Sequence, residues 1–237
     1  MNILLLYLLS ICMVIIMLVS GYLVGFRSSI IFDEAEDFSS NNITSTDMAE
    51  NLISKNNLLN VNITRLNSKK TNYYSASYNV IKLSPTVKDS TQLSALAISG
   101  FCANQARLSQ KYSFLYLMKT VFSFISKLFP IIFIPLVLIC AILSSSVNLG
   151  ILTLLILIAL IGTLISFIIQ IIIFIFELKS TKRLIKDIAS LNKLTEEELN
   201  TISTLLKGIC KINFYKFTRL ILKFLILISP DFIFRQN

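Results

Sequence analysis

The segment from Ile151 to Phe176 constrains the chain most, because it carries no charged residue from end to end. The hydrocarbon core of a bilayer is about 30 Å thick, and roughly 20 helical residues span it. A helix that is apolar on every face is not typical of the surface of a globular domain. The sequence therefore predicts an α-helical integral membrane protein.

The composition favours the same class. Hydrophobic residues make up 54% of the chain and charged residues only 15%, against roughly 25% in average globular chains. The net charge of +9 is expected to lie on the cytoplasmic side of membrane segments and to face anionic lipid. No basic run is interleaved with aromatic residues, so we expect the lipid bilayer, and no nucleic acid, as a partner.

The order of apolar and polar segments predicts five parts. They are an N-terminal transmembrane anchor (1–26), a small α+β cytosolic domain (27–120), a transmembrane helical hairpin (121–176), a cytosolic helical segment that completes the domain (177–212) and a tail (213–237). The short 144–150 loop carries no Lys or Arg, whereas both long polar segments are rich in them. The chain is thus predicted to be a multi-pass membrane protein with its polar domain in the cytoplasm and its N-terminus outside.

Local patterns predict the elements of the polar segments. Thr44 followed by Asp47 is typical of a helix start, and alternation around Val61 and Ile63 indicates a strand. One further β-prone segment covers 73–83, an Ala-rich helix is predicted over 90–109, and a helical stretch is predicted from Phe176 to about Lys207. Glu196, Glu197 and Glu198 after Thr195 suit the first turn of a helix.

The tail leaves three alternatives open. It is apolar but carries three basic residues at helical spacing, namely Lys216, Arg219 and Lys223. These could contact lipid from an amphipathic helix lying in the membrane interface. The tail could equally form a short fourth span, or a helix packed on the hairpin.

Several pieces of the chain, in order, resemble one family. They are Thr44–Ala49, Val80–Ser84, Ser94–Ile98, Gln110–Leu115, and Glu177 followed by Ser180 and Arg183. With the hairpin between them, the chain resembles the membrane-bound neutral zinc metallopeptidases of the YugP type. The resemblance implies a metallopeptidase-like (gluzincin-like) topology.

The resemblance also locates a lost motif. The family carries His-Glu-x-x-His on a helix, where two imidazoles bind zinc and the Glu acts as general base. Laid on this chain, the two His positions are Gly100 and Asn104 and the base position is Phe101; Glu177 stands where the resemblance implies a third ligand. The chain contains no histidine. Zinc, which the family implies, is therefore not expected here, and neither a catalytic nor a metal site is predicted.

Two remaining groups have plainer interpretations. Cys102 lacks a histidine base and lies among small apolar residues, so a buried structural thiol is favoured over a nucleophile. The four cysteines, Cys12, Cys102, Cys140 and Cys210, have no metal-binding spacing. Glu177 is expected to pair with neighbouring cations, namely Lys179, Lys182 and Arg183.

The functional hypothesis that follows is a catalytically inactive pseudo-peptidase. It would act by binding, with a peptide or another membrane protein as partner. One alternative is a membrane metallopeptidase with residual or unorthodox activity that uses Glu177 or Cys102. Another is a structural membrane protein whose tail binds anionic lipid.

Overall fold

The computed structural model describes residues 12, 15–16, 19, 22–23, 30–31, 38–40, 42–67, 72–125 and 149–227. For 215–227 and part of 149–164 it describes the backbone alone. Its elements, in chain order, are α1 (Ser45–Lys55), β1 (Asn62–Arg65), β2 (Tyr73–Ser75), β3 (Val80–Leu83), α2 (Leu93–Lys111), α3 (Leu149–Ala189) and α4 (Glu196–Leu227). Residues 113–125 are also helical.

Helix α1 begins where the sequence predicts. The Asp47 amide donates to Thr44 Oγ1 (3.2 Å), and the Thr44 amide donates to Asp47 Oδ2 (3.1 Å). This reciprocal pair satisfies amide groups that the first helical turn leaves without partners. Hydrogen bonds from Thr44 also lower the pKa of Asp47. The predicted helix start is confirmed, and the pair forms a capping box.

Within the described part of the chain, the sheet has three strands in the order β1-β3-β2. Strand β1 runs parallel to β3, with Ile63 opposite Ile81, and β2 runs antiparallel to β3, with Tyr74 opposite the same Ile81. The prediction of one β-prone segment over 73–83 is corrected to a hairpin, since a turn separates β2 from β3. Asn79 closes that turn at φ 52, a left-handed conformation that Asn tolerates better than most residues.

The core lies between the sheet and the helices. Helix α2 contributes four buried alanines (Ala95, Ala97, Ala103, Ala106), and small side chains let α1 pack closely against it. Of the side chains that the structure describes, the largest fully buried ones are Met48, Leu52, Ile81, Leu83, Leu96, Leu184, Ile188, Ile202, Leu205 and Leu206. The core is thus drawn from α1, β3, α2, the end of α3 and the start of α4.

The predicted helical stretch from Phe176 to Lys207 is two helices. Helix α3 continues through Ala189, and α4 starts at Glu196 after a connection that contains Asn192 at φ 52. The Glu198 amide donates to Thr195 Oγ1 (3.3 Å), and the Thr195 amide donates to Glu198 Oε2 (2.8 Å). The acidic first turn of α4 is confirmed.

Over the residues whose side chains are described, no helix supplies a segment of the length and apolar character that membrane crossing requires. This finding contradicts the predicted class of integral membrane protein, the transmembrane hairpin and the multi-pass localisation with a cytoplasmic domain. The prediction equated an uncharged run with a span. The described part of that run buries the polar residues Ser166 and Gln170, and its Phe167 and Phe174 contact Phe214 of α4.

We therefore correct the fold class to an α+β fold with a three-stranded sheet and long helices. Most of the predicted anchor (1–26) and the first arm of the predicted hairpin (about 128–147) lie outside the described residues. The backbone of the tail is helical through Leu227, and the side chains of Lys216, Arg219 and Lys223 lie outside those described.

The chain divides into two compact units. One comprises Met1–Phe26, Thr120–Phe174 and Asn213–Asn237. The other comprises Arg27–Lys119 and Ile175–Ile212, and it contains the sheet, α1, α2 and every position that the family resemblance marks as part of a former site.

Candidate functional site

The former motif lies on the middle of α2, a part of the helix that is almost wholly buried. Gly100, Cys102 and Asn104 are buried, and Phe101 is half-buried. A Cβ atom at Gly100 would lie 3.6 Å from Ile188 Cδ1, 3.6 Å from Leu52 Cδ1 and 3.9 Å from Met48 Cγ. These are ordinary van der Waals distances, so hydrocarbon occupies the space that a longer side chain at this position would need.

Asn104 has a partner on α3. Its Nδ2 donates to Ser180 Oγ (2.9 Å), and the Ser180 hydroxyl lies 3.2 Å from Asn104 Oδ1 in the reverse direction. Both side chains are buried, at 3% and 9% exposure. A buried amide that is hydrogen-bonded in this way contributes to packing, and its oxygen already has a donor.

Arg107, one helical turn after Asn104, forms a second link to α3. Its Nη1 lies 2.6 Å from Asp187 Oδ2, with side-chain exposures of 3% for Arg107 and 20% for Asp187. Its Nη2 is 3.5 Å from both the carbonyl and the hydroxyl oxygen of Ser180. Burial lowers the pKa of Arg107, and the Asp187 carboxylate opposes that shift.

Glu177 forms the third link. Its Oε1 lies 2.7 Å from Lys119 Nζ in the 113–125 helical segment, and the side chains are 8% and 15% exposed. Lys119 Nζ also donates to Gln105 Oε1 (3.2 Å). The expected partners Lys179, Lys182 and Arg183 are not the ones that Glu177 uses. Residues two apart on a helix do not face each other, and Arg183 donates instead to the Tyr112 hydroxyl (3.2 Å).

The two buried thiols that the structure describes are unsuited to nucleophilic chemistry. Burial raises the pKa of Cys102 to about 12. Cys210 is also buried, 3.2 Å from Thr181 Oγ1, and burial together with the nearby Glu177 charge raises its pKa to about 11. The thiolate is the reactive form, so both side chains stay protonated at neutral pH.

This predicts selective alkylation. In native protein at pH 8, iodoacetamide should label the exposed Cys12 and leave Cys102 and Cys210 unlabelled, as peptide mass spectrometry would show. Their raised pKa values leave about 1 in 10,000 and 1 in 1,000 of the two side chains as thiolate. Urea should expose both to labelling. Labelling of native Cys102 at the rate of Cys12 would restore the nucleophile hypothesis.

The donor set at the former site does not fit a zinc ion. Gly100 has no side-chain donor, Phe101 cannot accept a proton, and the Asn104 amide is bonded to Ser180. The carboxylate of Glu177 already faces the Lys119 ammonium, and zinc prefers thiolate, imidazole or carboxylate ligands. Within the described part of the chain, no three cysteine, aspartate or glutamate side chains come together as a metal-binding group.

Sequence reasoning found some of these residues and missed others. It singled out Asn104, Ser180 and Glu177, and the structure brings the first two into direct contact. It missed the contributions of Lys119, Arg107 and Asp187. The one available signal was the three-residue spacing of Asn104 and Arg107, which places both on the same face of a helix.

Comparison with known proteins identifies the family. No curated protein and no solved structure matches the chain. The family model described as "Putative neutral zinc metallopeptidase" matches residues 7–214, which covers most of the chain and all of the former site. The predicted resemblance is therefore confirmed, and the chain belongs to this neutral zinc metallopeptidase family.

Proposed function

We propose that this protein is a catalytically inactive member of its family that acts by binding a protein or peptide partner. Peptide hydrolysis in a His-Glu-x-x-His enzyme needs a metal-activated water and a carboxylate that accepts its proton. Phe101 at the base position supports the loss of that chemistry most directly, since a phenyl ring takes up no proton. The proposed role needs no zinc.

The state of the remaining polar residues supports the same proposal. The Asn104 amide and the Glu177 carboxylate each have a partner within the fold. A group held in this way is not free to orient a water molecule or a substrate carbonyl. Because Gly100 and Asn104 are buried, we do not place the partner on these positions, and binding is assigned to the exposed surface.

The inactive state is tested by measuring metal content and hydrolysis together. Purified protein is assayed on casein and on a fluorogenic peptide library with Zn²⁺, Co²⁺, Mn²⁺ or EDTA, beside an active zinc metallopeptidase. We expect substoichiometric zinc and no metal-dependent cleavage, in both the wild type and Glu177→Ala. One zinc per chain that is lost in Glu177→Ala, with cleavage that EDTA abolishes, would overturn the proposal.

The binding role needs a separate measurement. Peptide arrays are probed with the labelled protein in the presence and absence of EDTA, and captured sequences are confirmed by titration in solution. We expect saturable binding of a defined peptide class that EDTA does not change. Binding that disappears with EDTA, or an absence of any saturable peptide ligand, would contradict this part of the proposal.

A further inference from the structure

The carboxylate of Glu177 lies in an environment where an unpaired charge would be costly. Its side chain is 8% exposed, and a buried carboxylate requires a cation or several hydrogen-bond donors. Among the residues that the structure describes, the Lys119 ammonium supplies a cation, with Nζ 2.7 Å from Glu177 Oε1. The ammonium also donates a hydrogen bond to Gln105 Oε1 (3.2 Å), so both Glu177 and Gln105 hold it in position.

A second contact lies one helical turn away on α3. Ser180, three residues after Glu177, exchanges hydrogen bonds with Asn104 of α2. Residues three apart on a helix are neighbours on one face. Adjacent turns of α3 are therefore joined to α2 by an amide–hydroxyl pair and to the 113–125 segment by a charged pair.

We propose that Lys119 is a built-in counter-cation that takes the place of a metal ion beside Glu177. With the Asn104–Ser180 pair, it joins α3 to the preceding helices without any metal. This inference rests on the proposed loss of zinc chemistry. It goes further because it assigns a structural role to Lys119 and to the Glu177 carboxylate, which has no catalytic role in the proposed function.

The coupling between the two charges is measurable in a double-mutant cycle. Lys119→Met, Glu177→Gln and the double variant are unfolded in urea. Each single variant should raise the equilibrium constant for unfolding by about ten- to hundredfold, because it leaves a largely buried partner uncompensated. The increase in this constant in the double variant should be smaller than the product of the two single increases by about tenfold or more.

Three controls separate pairing from packing. Lys119→Arg keeps the positive charge and should retain most of the wild-type stability. This variant also provides a folded protein for comparison if Lys119→Met fails to fold. Lys111→Met removes an exposed lysine from α2 and should leave unfolding unchanged. The wild-type Tm should differ by no more than about 1 °C between excess zinc and EDTA, since a ligand stabilises only the state that binds it.

The outcomes separate this inference from the proposed function. If the effects of the two single variants on the equilibrium constant for unfolding simply multiply in the double variant, Lys119 and Glu177 are not coupled. That result would overturn the role proposed for Lys119 and would not affect the proposed loss of catalysis. A Lys119→Arg variant as unstable as Lys119→Met would also overturn it. Metal-dependent peptide cleavage would instead refute the proposed function, whatever the cycle shows.

Discussion

Asp187→Ala should destabilise the protein by about 3 kcal/mol, because it leaves the Arg107 guanidinium buried without its counter-charge. Arg107 is only 3% exposed, and its Nε has no hydrogen-bond partner within the described structure. The guanidinium therefore depends on Asp187 and on two long contacts to Ser180. The expected loss of stability lies at the lower end of the range for breaking a buried ion pair. The reason is that Asp187 is 20% exposed, so water can partly replace its carboxylate.

Urea denaturation of matched variants tests this expectation. Glu50→Ala removes an exposed carboxylate from α1 and should change the free energy of unfolding by less than about 0.5 kcal/mol. Arg107→Leu combined with Asp187→Leu should be more stable than Asp187→Ala, because replacing both charges removes the desolvation cost. A loss below about 1 kcal/mol in Asp187→Ala would mean that water or another group compensates Arg107.

Gly100→His should destabilise the protein by about 3 kcal/mol, since it forces an imidazole into space filled by other side chains. A Cβ atom on residue 100 would lie 3.6–3.9 Å from side-chain atoms of Ile188, Leu52 and Met48. A methyl group fits at these distances, but a ring beyond it does not. Restoring the first histidine of the motif alone should therefore weaken the fold.

Gly100→Ala is the matched control. Its Cβ makes ordinary contacts, and alanine is favoured over glycine inside a helix by about 1 kcal/mol, so this variant should be neutral or slightly more stable. Adding Ile188→Ala to Gly100→His should cost less than the sum of the two single changes, because the smaller side chain makes room for the ring. If Gly100→His unfolds like the wild type, the space at position 100 is more adaptable than the contacts indicate.

Short-range features of the fold could be predicted from the sequence. The start of α1 depends on Thr44 and Asp47, three residues apart, and the start of α4 depends on Thr195 and the three glutamates that follow. The resemblance extends from Thr44 to about Lys207, and its order of pieces identified the family that residues 7–214 match. Each of these signals involves residues that are close together in the sequence, or several such groups that follow one another in a fixed order.

Features that depend on distant residues could not be predicted. The pair of Lys119 and Glu177 joins different helices, and nothing in the sequence beside Glu177 indicates which lysine approaches it. The turn between β2 and β3 was missed because Tyr and Val around it maintain a β-prone composition. The membrane prediction was wrong for a related reason: it used the length of the uncharged run, the composition and the distribution of Lys and Arg along the sequence, without the packing that a helix makes.

The division of the chain has a consequence for its synthesis. The unit that holds the former site is discontinuous, since residues 120–174 separate Arg27–Lys119 from Ile175–Ile212. Core residues such as Ile202, Leu205 and Leu206 belong to the second piece, so the first piece leaves the ribosome several seconds before its packing partners exist. During that interval the apolar surface of α2 that packs against Ile188 is uncovered, and a nascent chain stalled before residue 175 should be a substrate for chaperones.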